Sequence, residues 1–172
     1  MKTEYLLHRE VEYVLAALMP VNRVIMRVCI HTGLRIGDVL ALRTAQIGPR
    51  FWITEQKTGK RRIVGLPSDL LADMRKIAGK KYVFEHKNDP ERHRTRQAVW
   101  KDVKRAAKAF RLPQNVAPHS ARKVYAVDLL AKYGDIAKVQ RALNHSGPSV
   151  TMIYAMADQL YRQKYRKKPH ES

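Results

Sequence analysis

Two arginines, a lysine, two histidines and a tyrosine fall at positions that packing a helical core does not explain. Arg35 follows the glycine-containing turn of HTGLRIGD (residues 31–38) at the start of a helix, where it can meet an anion jointly with the helix N-terminus. Lys57 sits at the mouth of a hairpin in EQKTGKR (55–61), with Lys60 just past its glycine. His119 and Arg122, spaced i, i+3 in APHSARK (117–123), project from one face of the first turns of a helix toward a common point. His145 and Tyr154 lie nine residues apart in ALNHSGPSVTMIYA (142–155), separated by the helix-breaking pair Gly147-Pro148. Each residue taken alone has an ordinary alternative: a structural arginine, a solubilising lysine at a hairpin tip, a half-buried tyrosine with a wet hydroxyl.

As an ensemble they can transfer a phosphoryl group from DNA to a phenol. That reaction needs two cations on the equatorial oxygens of the transition state, where developing charge makes the largest barrier. Arg35 and Arg122 fit that role. A phenol, with an unperturbed pKa of about 10, must lose its proton, and the departing 5′ hydroxyl must gain one. His119 can accept the first and Lys57 can donate the second; Lys60 in the same turn is the alternative donor. No metal or other cofactor is then required. The sequence has no Cys/His cluster at zinc spacing and no evident carboxylate pair of the sort that holds two magnesium ions. It also has no GxxxxGK[ST] phosphate loop and no GxSxG elbow, the usual apparatus of nucleotide and ester hydrolysis.

The bulk charge points to the same partner. Thirty-four Lys and Arg against fifteen Asp and Glu leave a formal charge of +19, which repels itself unless a polyanion compensates it. Double-stranded DNA fits, while a basic protein of the ribosomal kind is the bland alternative. No apolar run approaches the roughly 20 residues needed to span a bilayer, and no basic amphipathic end or lipid signal suggests a membrane partner. The start, MKTEYLLHREVEY, does not read as a secretory signal, and the lone Cys29 cannot form an internal disulfide. Both features fit a reducing intracellular compartment. With 172 residues and 45% hydrophobic content, one folded unit with a real core is expected.

The elements that must position these residues are mostly helical. Val11, Val14, Leu15 and Leu18 follow the i, i+3, i+4, i+7 rule, and Val21, Val24, Ile25 and Val28 repeat it after Pro20, with Gly33 as the C-cap. A short helix is expected over Ile36 to Arg43. RFWITEQ and RRIVGLP then read as strands flanking the KTGK turn. Leu70, Leu71, Met74 and Ile77 return to helical spacing, Tyr82 to Phe84 read as a short strand, and HKNDPERHRT reads as a polar loop. From the N-cap Thr95, the face Val99, Val103, Ala106 and Phe110 is apolar, while Arg96, Lys101, Lys104, Arg105 and Lys108 offer the rest to phosphates or merely to solvent. Pro118 starts another helix with the stripe Ala126, Leu129, Leu130 and Tyr133, closed by Gly134. Ile136, Val139 and Leu143 mark a short helix, and a last one is expected near Pro148, carrying Tyr154. The fold class is therefore mainly α with a small antiparallel β-sheet (α+β).

HTGLRIGDVLALR, the KTGK hairpin, HSARKVYAVDLL and VQRALNHSGPSVTMIYA, in that order across Leu6 to Asp158, together resemble the catalytic domain of the tyrosine recombinases, the phage integrase family. The resemblance implies that Arg35 and Arg122 hold the scissile phosphate, Lys57 is the general acid, His119 assists proton transfer, His145 fills the second histidine position and Tyr154 is the nucleophile. It implies a site-specific recombinase that cuts DNA through a 3′-phosphotyrosyl link, which conserves the bond energy so that rejoining needs neither metal nor ATP. Lys60, Arg61, Arg96, Lys101, Lys104 and Lys123 are the expected DNA contacts. Lys123 stands where many members have a histidine, and Asn144 replaces the common glycine before His145; neither departure removes a reacting group.

Residues 1–158 are thus expected to form the catalytic domain and 159–172 a basic tail that docks in trans on a neighbouring protomer or frays. Members usually carry an N-terminal helical domain that clamps the opposite face of the duplex, whereas only about thirty residues precede Arg35 here. An excised catalytic domain and a natural minimal recombinase both fit, and both imply weaker, salt-sensitive DNA binding than a two-domain relative shows. The expected setting is the nucleoid in the cytoplasm of a prokaryotic host, with the chain encoded by a phage or mobile element. The expected assembly is a tetramer on DNA with accessory DNA-bending proteins. Two other readings share the fold: a type IB topoisomerase that relaxes supercoils, and a DNA-binding regulator without catalysis.

Overall fold

The computed structural model describes residues 6–143. Residues 6–125 form one unit and residues 126–143 belong to a second.

The first unit begins with α1 (His8–Ala17) and α2 (Pro20–Thr32). The Glu10 carboxylate accepts the Leu7 amide at 2.8 Å, satisfying one of the donors that a helix start leaves open. Pro20 opens α2, and the Met19 amide and Asn22 side chain both donate to Asp102 Oδ2, at 2.9 and 2.7 Å. Gly33 ends α2 at φ +65°, as the sequence predicts. The next helix, α3 (Ile36–Leu40), stops three residues before the expected Arg43. Leu42 turns into the core there (1% exposed) and Arg43 leaves to bridge Tyr82, which takes the chain off the helical path.

Strands β1 (Arg50–Thr54) and β2 (Arg61–Gly65) pair antiparallel, with Phe51 opposite Val64 and Ile53 opposite Arg62. Alternation buries Phe51, Ile53 and Val64 and leaves Trp52 and Ile63 exposed on the other face. It also turns Arg62 toward the core side, half-buried. Helix α4 (Ser68–Ile77) packs against α2 and buries Leu70, Leu71 and Met74.

Two sequence expectations change between residues 82 and 93. Tyr82 to Phe84 make one bridge rather than a strand, and HKNDPERHRT is not a loop: it carries β3 (Glu85–His86) and β4 (Asp89–His93), paired antiparallel. No β4 side chain is buried, so the hairpin leaves no hydrophobic alternation to read; it is held by backbone pairing and by peripheral contacts such as His93 edge-on to the Tyr82 ring.

Helix α5 (Arg96–Ala109) starts at Thr95, whose hydroxyl accepts the Ala98 amide at 3.1 Å. Val99, Val103 and Ala106 are fully buried against α1. Phe110, expected on that face, lies past the helix end and is 42% exposed, stacked on Tyr13 with ring centroids 5.0 Å apart. Ile25, Val28, Val39, Met74 and Phe84 fill the centre of this unit, and burying each is worth roughly 1.5–3 kcal/mol. Cys29 lies among them, where burial pushes its thiol up to about 12.

Helix α6 (Pro118–Tyr133) begins at the predicted proline. Its second half and α7 (Ile136–Leu143) belong to the second unit, with Gly134 between them at φ +62°. Ala126, Val139 and Leu143 are buried, while Leu129 and Leu130 are only half-buried and Tyr133 is exposed. The sequence stripe on α6 is therefore partly open.

Candidate active site

The turn that precedes α3 fixes Arg35. The Gly33 amide donates to the Cys29 carbonyl at 2.9 Å, and the Thr32 hydroxyl accepts the Leu34 amide at 3.2 Å. Two guanidinium groups then clamp the turn: Arg62 donates to the Thr32 carbonyl at 2.8 Å and Arg122 to the Gly33 carbonyl at 2.5 Å. A methyl group on Gly33 would lie 2.3 Å from Cδ1 of Tyr125, so the position requires both a left-handed backbone and the absence of a side chain.

The hairpin brings Lys57 to the same place. Residues Glu55 to Lys60 form the turn, closed by Glu55 N–H to Lys60 O at 3.0 Å and Gly59 N–H to Glu55 O at 2.8 Å. Its base is tied to α3 twice. Buried Asp38 accepts the Gln56 amide at 2.9 Å, and buried Glu55 pairs with Arg35 through Nη1.

Arg35, Lys57, His119 and Arg122 line one cleft of about 390 Å³. Arg96 joins them from the start of α5, its guanidinium lying against the backbone of Gly37, where a Cβ would meet Nη2 at 2.2 Å. Lys57 and His119 are exposed and Arg35 is partly so, whereas Arg122 is 3% exposed. Burial, and then the like charge of Arg35, pull the pKa of Arg122 down to about 10, although Glu55 and Asp38 act against this. Arg122 therefore stays charged at neutral pH. A cleft with three guanidiniums, an ammonium and an imidazole suits an anion on which negative charge develops and with which protons are exchanged.

A profile of the phage integrase family matches residues 4–160. The chain is 31% identical over 155 residues to the integrase of Escherichia phage P2, covering 90% of this chain and 43% of that one. It is 30% identical over 168 residues to a tyrosine recombinase of Thermosipho africanus, covering 91% and 58%. This chain belongs to the phage integrase family. Among solved structures, XerA recombinase superposes with a TM-score of 0.73 at 20% identity, over 96% of this chain and 65% of that one. The fold is that of tyrosine recombinase catalytic domains. The chain spans about half the length of the two sequence relatives.

Four of the six residues singled out from the sequence thus come together in a phage integrase fold, and His145 and Tyr154 lie outside the described residues. Of the expected DNA contacts, Lys60, Arg61, Arg96 and Lys101 are exposed; Arg61 also lies over the Trp52 ring, 5.0 Å from its centroid. Lys104 is half-buried and bonded to Asn115. Lys123 is buried (9% exposed) and is not presented on that basic surface. The sequence reading did not single out Glu55, Arg62 or Asp38, the residues that hold the turn and the hairpin together. One signal was available: alternation along RRIVG puts Arg62 on the inner face with Val64, and a charge on a core-facing strand position needs a buried partner.

Among the described residues, no helix is long and apolar enough to cross a membrane.

Proposed function

We propose that this chain is a site-specific DNA recombinase of the integrase type, a strand transferase that cleaves and rejoins double-stranded DNA through a 3′-phosphotyrosyl intermediate. One observation carries the reading: side chains from the α2–α3 turn, the β1–β2 hairpin and the start of α6 converge on one cationic cleft that can seat a phosphodiester.

Arg35 and Arg122 neutralise the non-bridging oxygens as charge develops on them. The Tyr154 phenol attacks phosphorus, forming the P–O bond to the enzyme as the bond to the 5′ oxygen breaks. The phenolic proton passes to His119, with His145 as the second imidazole at the phosphate, and Lys57 protonates the departing 5′ oxygen. Reversal with a new 5′ hydroxyl reseals the strand. One phosphodiester is exchanged for another, so the cycle needs no ATP. The guanidinium pair supplies the charge that a metal would otherwise provide.

Known proteins of this fold extend the proposal to assembly. XerH has been solved with its palindromic difH substrate after cleavage, and lambda integrase as a tetramer on a Holliday junction. We extend both features to this chain: it binds duplex DNA, with Lys60, Arg61, Arg96, Lys101 and Lys104 along the contact, and self-associates there. Residues 1–158 supply the catalytic domain.

The test is a nicked duplex that lets the cleaved fragment diffuse away, drawn from DNA flanking the gene. The wild-type chain is expected to form a detergent-resistant protein–DNA adduct, and Tyr154→Phe to bind the same DNA without forming it. An adduct from Tyr154→Phe refutes the nucleophile; binding with no adduct from the wild type leaves a catalytically silent regulator.

A further inference from the structure

Glu55 is fully buried, a place where a carboxylate is costly unless cations surround it. Its Oε2 accepts from Nη1 of Arg35 and, at 3.3 Å, from the Thr58 hydroxyl, while its Oε1 lies 3.3 Å from Nε of Arg62. Three guanidiniums, of Arg35, Arg62 and Arg122, lie close enough for their charges to interact, and Glu55 offsets the repulsion among them.

An arginine side chain has many rotamers and a flat fork of five donors. Arg35 keeps 23% of its surface open and lines the cleft. Its one side-chain partner among the described residues holds Nη1, so the remaining donors of the fork can meet an anion in the cleft. Glu55 also stands two residues before Lys57 in the turn, so the same carboxylate ties the hairpin base to the α2–α3 turn. Arg62, held by Glu55, reaches the Thr32 carbonyl in that turn.

We propose that Glu55 is a positioning residue of the strand-transfer site: its buried carboxylate aims Arg35 at the scissile phosphate before DNA arrives. This rests on the function proposed above. Pre-aiming a charge in this way acts on the rate of the chemical step, because a misplacement of about 1 Å can cost on the order of a hundredfold.

The test compares Glu55→Gln, which keeps the shape and removes the charge, with the wild type in single-turnover adduct formation on nicked DNA. The expected result is a rate lower by about 10- to 100-fold with DNA affinity within about threefold. In an Arg35→Ala background, assayed by long incubation, Glu55→Gln is expected to cost less than about threefold more, since both changes then remove one interaction. A wild-type rate for Glu55→Gln, or its full loss repeated without Arg35, overturns the proposal. Should Glu55→Gln fail to fold, Glu55→Asp keeps the charge and withdraws it by one methylene; a slowed rate at unchanged affinity supports the role, and a wild-type rate refutes it. Arginine side-chain ¹⁵N spectra need no catalysis: Arg35 should be restrained in the wild type and freed by Glu55→Gln. Equal mobility in both overturns the positioning role whatever the enzyme does, whereas a wild-type chain that forms no adduct overturns the proposed function alone.

Discussion

Arg122 donates to the carbonyl oxygen of Gly33 at 2.5 Å, so one guanidinium of the cleft is braced on the turn that delivers another, Arg35. The two are parts of one structure rather than neighbours by chance. The most-buried cation of the site is also a cap on the end of α2.

Arg122→Lys should therefore fail on two counts. A lysine keeps a charge but loses the planar fork that serves a carbonyl and a phosphate at once. Adduct formation is expected to fall by about 10²–10³, the cost of removing one preorganised donor from a developing oxyanion. Chemical denaturation should show a loss of about 1–3 kcal/mol, since the Gly33 carbonyl loses a charged partner. Retention of full stability would show that the Gly33 contact does not brace the turn.

Gly33→Ala tests the turn without touching a charged group. The alanine would have to hold φ +65° and place its methyl 2.3 Å from the Tyr125 ring. The left-handed backbone costs roughly 1–2 kcal/mol and the overlap about 1–3 more. A drop of about 2–5 kcal/mol in unfolding free energy is expected by urea titration, together with loss of adduct formation. A change under about 0.5 kcal/mol would mean that the α2 end and Tyr125 separate easily.

Much of this scaffold was legible because its physics is periodic. The stripes of α1, α2, α4 and α5 and the β1–β2 alternation each leave a repeating mark on the sequence, and the Thr95 cap and the Gly33 stop mark where two of the helices begin or end. The β3–β4 hairpin leaves none, since all its side chains stay at least partly exposed. Lys123 misled for a related reason. Residues Ser120 to Val124 are all buried, so beyond the exposed His119 the first turns of α6 show no wet face to which Lys123 could be assigned. Glu55, two residues before Lys57, and Asp38, at the end of HTGLRIGD, carry no repeating mark. Their roles arise only when residues about twenty positions apart meet at the hairpin base, as Arg35 and Glu55 do.

Asp102 makes the stability of the first unit depend on pH. Burial works to raise its pKa, but hydrogen bonds from Asn22, Arg105 and the Met19 amide outweigh this and hold the carboxyl below its usual range. A folded-state pKa below the unfolded one gives stability that is present above the unfolded value, near 3.9, and lost as pH falls through the folded value. Asp102→Ala is expected to cost about 2–4 kcal/mol at pH 7, because Asn22 and the Met19 amide lose their acceptor. The gap between variant and wild type should narrow below about pH 4. A gap that stays constant from pH 7 to pH 3 would assign the effect to shape rather than charge.

Salt dependence separates surface cations from buried ones. Each phosphate neutralised on duplex DNA releases counterions, and log K falls against log salt with a slope of about −0.9 per contact. Lys101 is exposed on α5, so Lys101→Ala should weaken DNA binding and make the slope shallower by roughly one unit if a phosphate meets it there. Lys123, one residue past Arg122 yet buried, has no such access. Lys123→Ala should leave the slope unchanged and instead lower the unfolding free energy, because the groups packed around it lose their partner. Fluorescence anisotropy across 50–300 mM salt, paired with urea unfolding of the same variants, measures both quantities. If Lys123→Ala flattens the slope as much as Lys101→Ala does, the lysine must leave its buried position when DNA binds, and the first turns of α6 rearrange on the duplex.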